Sequence, residues 1–345
     1  MVRVGIIGLG WMGQLHAGYL KHVRGASLTA VCDRDQNVLT VVANTHGVLP
    51  FTEYKDLIAC EEVDAIYIVT PQKYHYEIMI EALASGKHIL CEKPLALTRD
   101  EISSLRDLAK KSKAKIIVDF PERFVISTQE SVDLIEQGAV GDIQFIRANF
   151  RFSMKNHHQT HGAWVFDRSQ GGGLILESSV HLWDMIRWVS KQEIVSVSAV
   201  AHNHKDGQFE DCFAAIAYLD KGGIVMVDMS GWLPKESATD KRMEIIGSDG
   251  AVYIDEFRNV LTIHSEKGVE NNPGMITTGM THKDLLWHSS IEGGVKRLNQ
   301  YFIDCINDDV TVHPNIEDGA RATEITWAIL ASLKSGKMEM VEYGN

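Results

Sequence analysis

A histidine with acids on either side, a lysine that ends an apolar run and a glycine-rich turn are the residues of this chain best suited to chemistry. In Gly171-Gly-Gly-Leu-Ile-Leu-Glu177-Ser-Ser-Val-His181-Leu-Trp-Asp184, Glu177 and His181 are four apart, and His181 and Asp184 are three apart. On a helix both spacings put the side chains on one face. An acid beside a histidine fixes its tautomer and raises its basicity, which suits proton transfer near neutral pH. The same spacing also describes an ordinary helix-surface ion pair. Lys93 stands in Cys91-Glu92-Lys93-Pro94 at the end of a short apolar run. There it is either a cation beside a ligand or a solvated side chain.

The turn Gly8-Leu-Gly10-Trp11-Met12-Gly13 follows the apolar run Val2–Ile7 and opens a stretch of helical spacing, Met12–Lys21. Gly8 permits a tight turn. Gly10 lets the backbone approach a pyrophosphate, and Gly13 lets the helix pack close to the strand. The helix N-terminus offers N–H groups and a positive dipole end to phosphates. Asp33 lies 20 residues after Gly13, at the end of the next strand, where it can accept hydrogen bonds from ribose hydroxyls. These features point to a dinucleotide. Asp33 favours NAD, because its charge repels a 2′-phosphate. NADP is the alternative, with the adjacent Arg34 as the phosphate partner. Thr70-Pro71-Gln72…His75 ends a further strand, so it lies with Glu92-Lys93-Pro94 at the carboxyl edge of the sheet, where open α/β sheets bind ligands.

The elements that must hold these residues follow from periodicity. Apolar runs at Val2–Ile7, Ser27–Cys32, Ala65–Val69, His88–Cys91 and Lys115–Val118 alternate with helical stretches at Met12–Lys21, Asp35–Thr45, Tyr74–Ala84 and Asp100–Lys111. Thr98 and Glu101 form a capping-box signature for the last of these. Repeated strand–helix–strand means a parallel sheet with helices on both faces. After Pro121 the pattern changes to one helical segment (Leu174–Val189) and then alternating runs separated by turns such as Asp220-Lys-Gly-Gly and Gly247-Ser-Asp-Gly250. This is a mostly antiparallel sheet. A closing helix runs from Asn315 or Glu317 to Leu333, bracketed by Pro314 and Gly336. The expected fold is α/β: an N-terminal Rossmann domain over residues 1–121, then an α/β domain with a large open sheet over residues 122–345, whose last helix can pack back on the first.

The 345 residues carry 34 Lys plus Arg against 46 Asp plus Glu, a formal net charge of −12. That balance argues against nucleic acid and anionic membranes as general partners. No apolar stretch approaches the ~20 residues that span a bilayer, and the apolar start Met1–Gly13, with one basic residue, several glycines and no small-residue cleavage site, is expected to be mature protein rather than a signal peptide. Five widely spaced cysteines without C-x-x-C argue against a disulfide framework or structural zinc and fit the cytoplasm.

Together, Gly8-x-Gly10-x-Met12-Gly13-x-x-His16, Thr70-Pro71-x-x-x-His75, Glu92-Lys93-Pro94, Gly172-Gly173-x-x-x-Glu177-x-x-x-His181-x-x-Asp184 and Asp318-Gly319 resemble the Gfo/Idh/MocA oxidoreductases across nearly the whole chain. The resemblance implies cofactor contacts from Gly8, Gly10, Trp11, Met12, Gly13, Asp33, Arg34, Thr70, Pro71, His75, Glu92 and Lys93. It implies His181 as proton acceptor and Lys93 as the cation on the substrate hydroxyl. Glu177 stands where the family commonly has Asp, and Gln72 where Asn is more usual. Glu177 is therefore expected to orient His181 or to reach the substrate itself.

The expected function is an NAD(P)-dependent dehydrogenase or reductase acting on a CH–OH group of a sugar, an inositol-like cyclitol or a related polyol. Two rivals are an enzyme that recycles tightly bound NAD during glycoside cleavage or epimerisation, and a non-catalytic sensor. Arg123 and Trp164 are further substrate candidates, with a domain-boundary salt bridge and core packing as their alternatives. His157, His158 and His161 form a histidine-rich loop, read as exposed or substrate-facing rather than metal-binding. Arg147 and Arg151 share a strand face and can meet an anion or a partner subunit's acids. A homodimer or homotetramer through the second sheet is the expected assembly.

Overall fold

The computed structural model describes residues 1–154, 163–202, 210–256, 260–265, 276–277 and 288–344. Strands β1 (Val2–Ile7), β2 (Ala26–Cys32), β3 (Leu49–Phe51), β4 (Ala65–Ile68), β5 (His88–Cys91) and β6 (Ile116–Val118) form one parallel sheet in the order β3-β2-β1-β4-β5-β6. Parallel neighbours need crossovers. Helices α1 (Trp11–Leu20), α2 (Gln36–His46), α3 (Tyr54–Ala59), α4 (His75–Ala84) and α5 (Arg99–Lys111) supply them. Strand order reverses between β1 and β4, and this opens a crevice at the carboxyl ends of the strands.

Local sequence signals set these elements. Asp35 caps α2 by accepting from the Asn37 and Val38 N–H groups, and Gly47 ends that helix in the left-handed conformation. Both halves of the Thr98–Glu101 capping box are present. Leu49-Pro50-Phe51 carries no periodic signal in three partly exposed residues, which is why β3 is not legible in the sequence.

A short turn (Pro121–Phe124) and α6 (Ile126–Glu136) lead into the second sheet. Its strands are β7 (Ile143–Arg151), β8 (Ile194–His202), β9 (Cys212–Leu219), β10 (Ile224–Ser230), β11 (Asp240–Gly247), β12 (Gly250–Asp255), β13 (Val260–Ser265), β14 (Ile276–Thr277) and β15 (Glu339–Met340). Among the described residues the order is β14-β13-β12-β11-β7-β10-β9-β8-β15, and every pairing is antiparallel except β7 with β10. The inner face, including Ile146, Val225 and Ile245, buries against Trp183 and Ile186.

The expected helix Leu174–Val189 is divided. Leu174–Ser178 is a wide turn with i→i+5 bonding, in which the Ser179 N–H meets the Leu174 carbonyl at 2.9 Å. The ordinary helix α7 (Val180–Ser190) begins after it. Glu177 therefore sits on the wide turn, and its direction is not the one an i, i+4 helical spacing predicts.

Two closing helices, α8 (His288–Asn307) and α9 (Ile316–Ser335), return to the first sheet. Leu298 and Phe302 join the core beside β1, and Ile316 and Ala320 join the core beside β5 and β6. Arg106 on α5 fastens this return. It donates to both carboxylate oxygens of the buried Glu324 at 2.8 and 3.1 Å, and to Glu317 at 2.7 Å. Removing one partner of a buried pair strands the other charge. Arg106→Ala is expected to cost about 3–5 kcal/mol in chemical denaturation; a loss below about 1 kcal/mol would place this pair with ordinary surface bridges.

Candidate active site

The carboxyl edge of the parallel sheet and the first residues of the second domain enclose a cleft of about 410 Å³. Its floor is the glycine turn between β1 and α1. Gly8 has φ +95°, and a Cβ there would lie 2.2 Å from the Val69 carbonyl oxygen. A Cβ on Gly13 would lie 2.0 Å from the Gly8 carbonyl oxygen, so only glycine lets α1 approach β1 this closely. Gly10 has open space beside it. No side chain caps α1, and its first turn carries no acid, so the positive end of the helix faces the cleft lined by Gly10, Trp11 and Met12. That cradle fits a pyrophosphate.

Asp33 is fixed at the end of this floor. Its carboxylate accepts the Leu9 N–H at 2.7 Å and the Asp35 N–H at 2.8 Å. Arg34 lies over the Tyr74 ring at 5.2 Å, with Lys73 over the same ring at 4.8 Å. Thr70, Pro71, Glu92 and Lys93 line the cleft as expected. His75 does not. Its ring is buried between two strand ends, Nε2 2.9 Å from the Thr70 carbonyl and Nδ1 3.0 Å from the Pro94 carbonyl, and donates its one N–H to one of them. Burial lowers its pKa to about 4 and keeps it neutral. His16 is likewise internal, joining Asn299 on α8 (3.0 Å) to Asp119 beyond β6 (2.9 Å). The Gln72 side chain packs against the Gly171 backbone, where a Cβ would meet it at 1.7 Å. Gln72 thus docks the glycine cluster of the second domain onto the first.

The reactive end of the cleft is built across the junction. Lys93 donates to the Glu177 carboxylate at 2.6 Å and to the Glu177 carbonyl at 2.8 Å. The Ser178 hydroxyl donates to the other Glu177 oxygen. Glu177 is therefore the partner of Lys93 rather than of His181. Asp184 is not the partner of His181 either. It is buried against Arg123, which donates to it at 2.7 and 2.5 Å and to Asp318 at 3.0 Å. Arg123 is a buried junction salt bridge and does not line the cleft.

The carboxylate on His181 comes from Glu122. Its Oε2 lies 2.9 Å from Nδ1, and its Oε1 accepts from Lys241 at 2.9 Å. Lys241 also pairs with Glu256 at 3.0 Å. Sequence reasoning missed all three. A signal existed: Lys241 falls in phase with the buried Met243 and Ile245, and Glu256 with Val252 and Ile254. A charged residue in phase with an apolar stripe marks a buried ion pair.

Trp164 lines the cleft, together with Phe150, Pro121 and Glu122. His157, His158 and His161 lie outside the described residues. Arg151 is engaged within the chain, by Asp228 (2.7 Å) and Asp240 (3.3 Å).

Comparison with known proteins agrees with this fold. A model described as "Oxidoreductase family, NAD-binding Rossmann fold" matches residues 2–120, and the GFO/IDH/MocA C-terminal domain matches residues 128–253. The chain belongs to this oxidoreductase family, Gfo/Idh/MocA. An inositol 2-dehydrogenase of Corynebacterium glutamicum is 32% identical over 241 residues, covering 66% of this chain and 67% of its own. A myo-inositol 2-dehydrogenase of Thermotoga maritima is 26% identical over 273 residues, covering 77% and 79%. The fold matches a scyllo-inositol dehydrogenase from Lactobacillus casei, solved with NAD(H) and scyllo-inositol, at a TM-score of 0.83 over 99% of each chain and 24% identity. The protein is an oxidoreductase with NAD as its cofactor, and the glycine cradle and Asp33 fit that group.

Burial and charge divide the reactive groups into two kinds. Burial would lower the Lys93 pKa, but Glu177 and Glu92 outweigh it and hold the ammonium above its ordinary value. Burial lowers the His181 pKa, only partly opposed by Glu122, so its imidazole is neutral at pH 7. Burial, with the charge of Asp119 added, pushes Glu92 well above the carboxylate range.

The Asp33 geometry generates a cofactor test. Asp33→Ala removes the Leu9 anchor together with the carboxylate expected to accept from the ribose. NADH affinity is expected to fall about tenfold, with NADP(H) affinity falling less. Fluorescence titration of both nucleotides checks this, and equal losses would remove Asp33 from ribose selection.

Proposed function

We propose that this protein is a dehydrogenase of a cyclitol or related polyol, with Lys93 and His181 acting on one substrate hydroxyl. The observation that supports this most is the presence of a protonated, carboxylate-held Lys93 and a neutral, buried His181 in the lining of one cleft. A cation donates hydrogen bonds to an oxygen that gains negative charge. A neutral imidazole accepts the proton that leaves.

In oxidation the cofactor supplies the hydride acceptor. The chain supplies the rest. His181 Nε2 takes the hydroxyl proton, while Nδ1 stays bonded to Glu122. Lys93 Nζ steadies the alkoxide and is kept in place by Glu177. Trp164 and Phe150 border the space for the ring and limit water. The glycine turn, Trp11, Met12, Arg34, Thr70, Pro71 and Glu92 are assigned to cofactor contact on their place along the cleft. The inositol dehydrogenases among the relatives support a cyclitol substrate.

Residues 1–121 form the cofactor domain in this reading, and residues 122–345 form the substrate and assembly domain, with α8 and α9 closing the first core. A second copy covers the outer face of the large sheet. That face exposes Ile216, Tyr218, Ile224, Met226 and Tyr253. Registers place Ile216, Met226, Arg147, Glu244 and Tyr253 in one row across five strands. Exposed Ile216, Met226 and Tyr253, with the opposite charges Arg147 and Glu244 between them, suit a subunit contact. The cytoplasm is the proposed compartment, supported by five free thiols. No helix among the described residues is long and apolar enough to cross a membrane.

Two tests follow. With myo-inositol, scyllo-inositol and a panel of aldoses, NAD reduction is expected for at least one polyol. Lys93→Ala or His181→Ala should lower kcat about 10²–10³-fold while NADH binding survives; near-normal turnover in either would overturn the assignment. Separately, Ile216→Asp with Met226→Glu should shift the protein to monomer in sedimentation. An unchanged sedimentation coefficient would show that this face is not the interface.

A further inference from the structure

The sequence offers two acids near His181, and the structure gives both of them other partners. Glu177 holds Lys93, and Asp184 holds Arg123. The only described side chain bonded to the His181 ring is Glu122, which enters from the turn after β6 rather than from α7. Glu122 is 3% exposed, at the margin of the cleft. Its other oxygen faces Lys241, which is 1% exposed, and Lys241 in turn meets the 2%-exposed Glu256. The result is a buried line of side chains, His181–Glu122–Lys241–Glu256, that starts at the cleft and ends just after β12.

We propose that Glu122 is the positioning residue for His181, and that Lys241 and Glu256 clamp Glu122 in turn. This rests on the reading of His181 as the proton acceptor. A carboxylate cannot donate, so Nδ1 carries the hydrogen and Nε2 keeps its lone pair toward the cleft. That is the tautomer an acceptor of a hydroxyl proton requires. The carboxylate also offsets the positive charge that forms on the ring. Burial alone would raise the Glu122 carboxyl, but the His181 ring and then Lys241 outweigh it and hold it well below the ordinary carboxylate range. Lys241, itself held by Glu256, fixes the far Glu122 oxygen in place. The Phe120 ring meets the imidazole edge-on at 5.9 Å and restricts its rotation.

The charges around His181 give the assignment a sign. Facing it are Glu122, which favours the imidazolium, and Lys93 and Lys241, which disfavour it. Glu177 faces Lys93, and Glu256 faces Lys241. Oxidation needs neutral His181, so turnover falls as pH drops through its pKa. Glu122→Gln keeps the shape and removes the anion, so the acidic limb of kcat against pH should move to lower pH, with kcat down about tenfold or more. Lys241→Met removes a cation, so the limb should move to higher pH. A residue that merely supported the fold would not shift the limb in opposite directions through these two variants.

The experiment measures both variants in two ways. One is the pH profile of myo-inositol oxidation with NAD. The other is the His181 titration by NMR of ¹³C-histidine-labelled, NAD-loaded protein, assigned with His181→Asn. Opposite displacements, seen in both readouts, are expected. Unmoved titration in folded Glu122→Gln protein, or displacement of both variants in one direction, would overturn the proposal. Should Lys241→Met not fold, Glu122→Gln alone decides by the direction of its shift. Failure of the underlying reading looks different: His181→Ala would keep its turnover while the NMR titration still responded to Glu122→Gln.

Discussion

Lys93 reaches across the junction between the two sheets to Glu177, 2.6 Å away, and the geometry of the cleft depends on that contact. Lys93 follows β5 of the first sheet, and Glu177 lies on the wide turn before α7. Both side chains are almost fully buried, at 10% and 6% exposed. Neither charge could remain there alone, because an unpaired buried ion costs several kcal/mol. The pair therefore locks the relative position of two parts of the chain 84 residues apart. The same constraint repeats around it. Arg123 joins the β6 turn to α7 and α9 through Asp184 and Asp318, and Lys241 joins β11 to Glu122. Lys93–Glu177 is the pair satisfied only when both domains are docked, and the other pairs brace the second domain's side of the junction.

Docking of this kind fixes the division of labour in the cleft. Surrounding carboxylates hold Lys93 protonated, whereas burial holds His181 neutral, although the two line one pocket. In the proposed reaction, environments that push two groups in opposite directions suit Lys93 to the donor's part and His181 to the acceptor's. On the cofactor side the determinants are steric rather than electrostatic. Gly8 and Gly13 leave no room for a Cβ, and that absence brings the positive end of α1 to the crevice at the strand reversal.

Much of this was legible in the residues themselves. Apart from β3 and α3, the strand–helix alternation to Val118, the capping box at Thr98, the closing helix after Pro314 and the glycine turn are local signals, and each is where the periodicity puts it. The mostly antiparallel second sheet was legible as well, through its alternation. Less legible were α6 and α8, which carry no sharp boundary signals, and the wide turn Leu174–Ser178. That turn matters most, because it rotates Glu177 away from the direction helical spacing predicts. Hence the expected Glu177–His181 pair does not form.

The sequence by itself determined which residues could do chemistry and which strand ends would carry them. Those properties depend on residue type and on a spacing of a few positions. It determined the cofactor cradle for the same reason, since a glycine's freedom is intrinsic. Tertiary structure alone decided the partners. His181 is bonded to a residue 59 positions away, and that residue to one 119 positions further on. Arg123 and His75 have residue types and positions that suit a ligand, yet packing turns both inward. Ion pairs and hydrogen bonds inside a protein are chosen by whichever groups packing brings within 3 Å after water is excluded, and no short-range pattern encodes that choice.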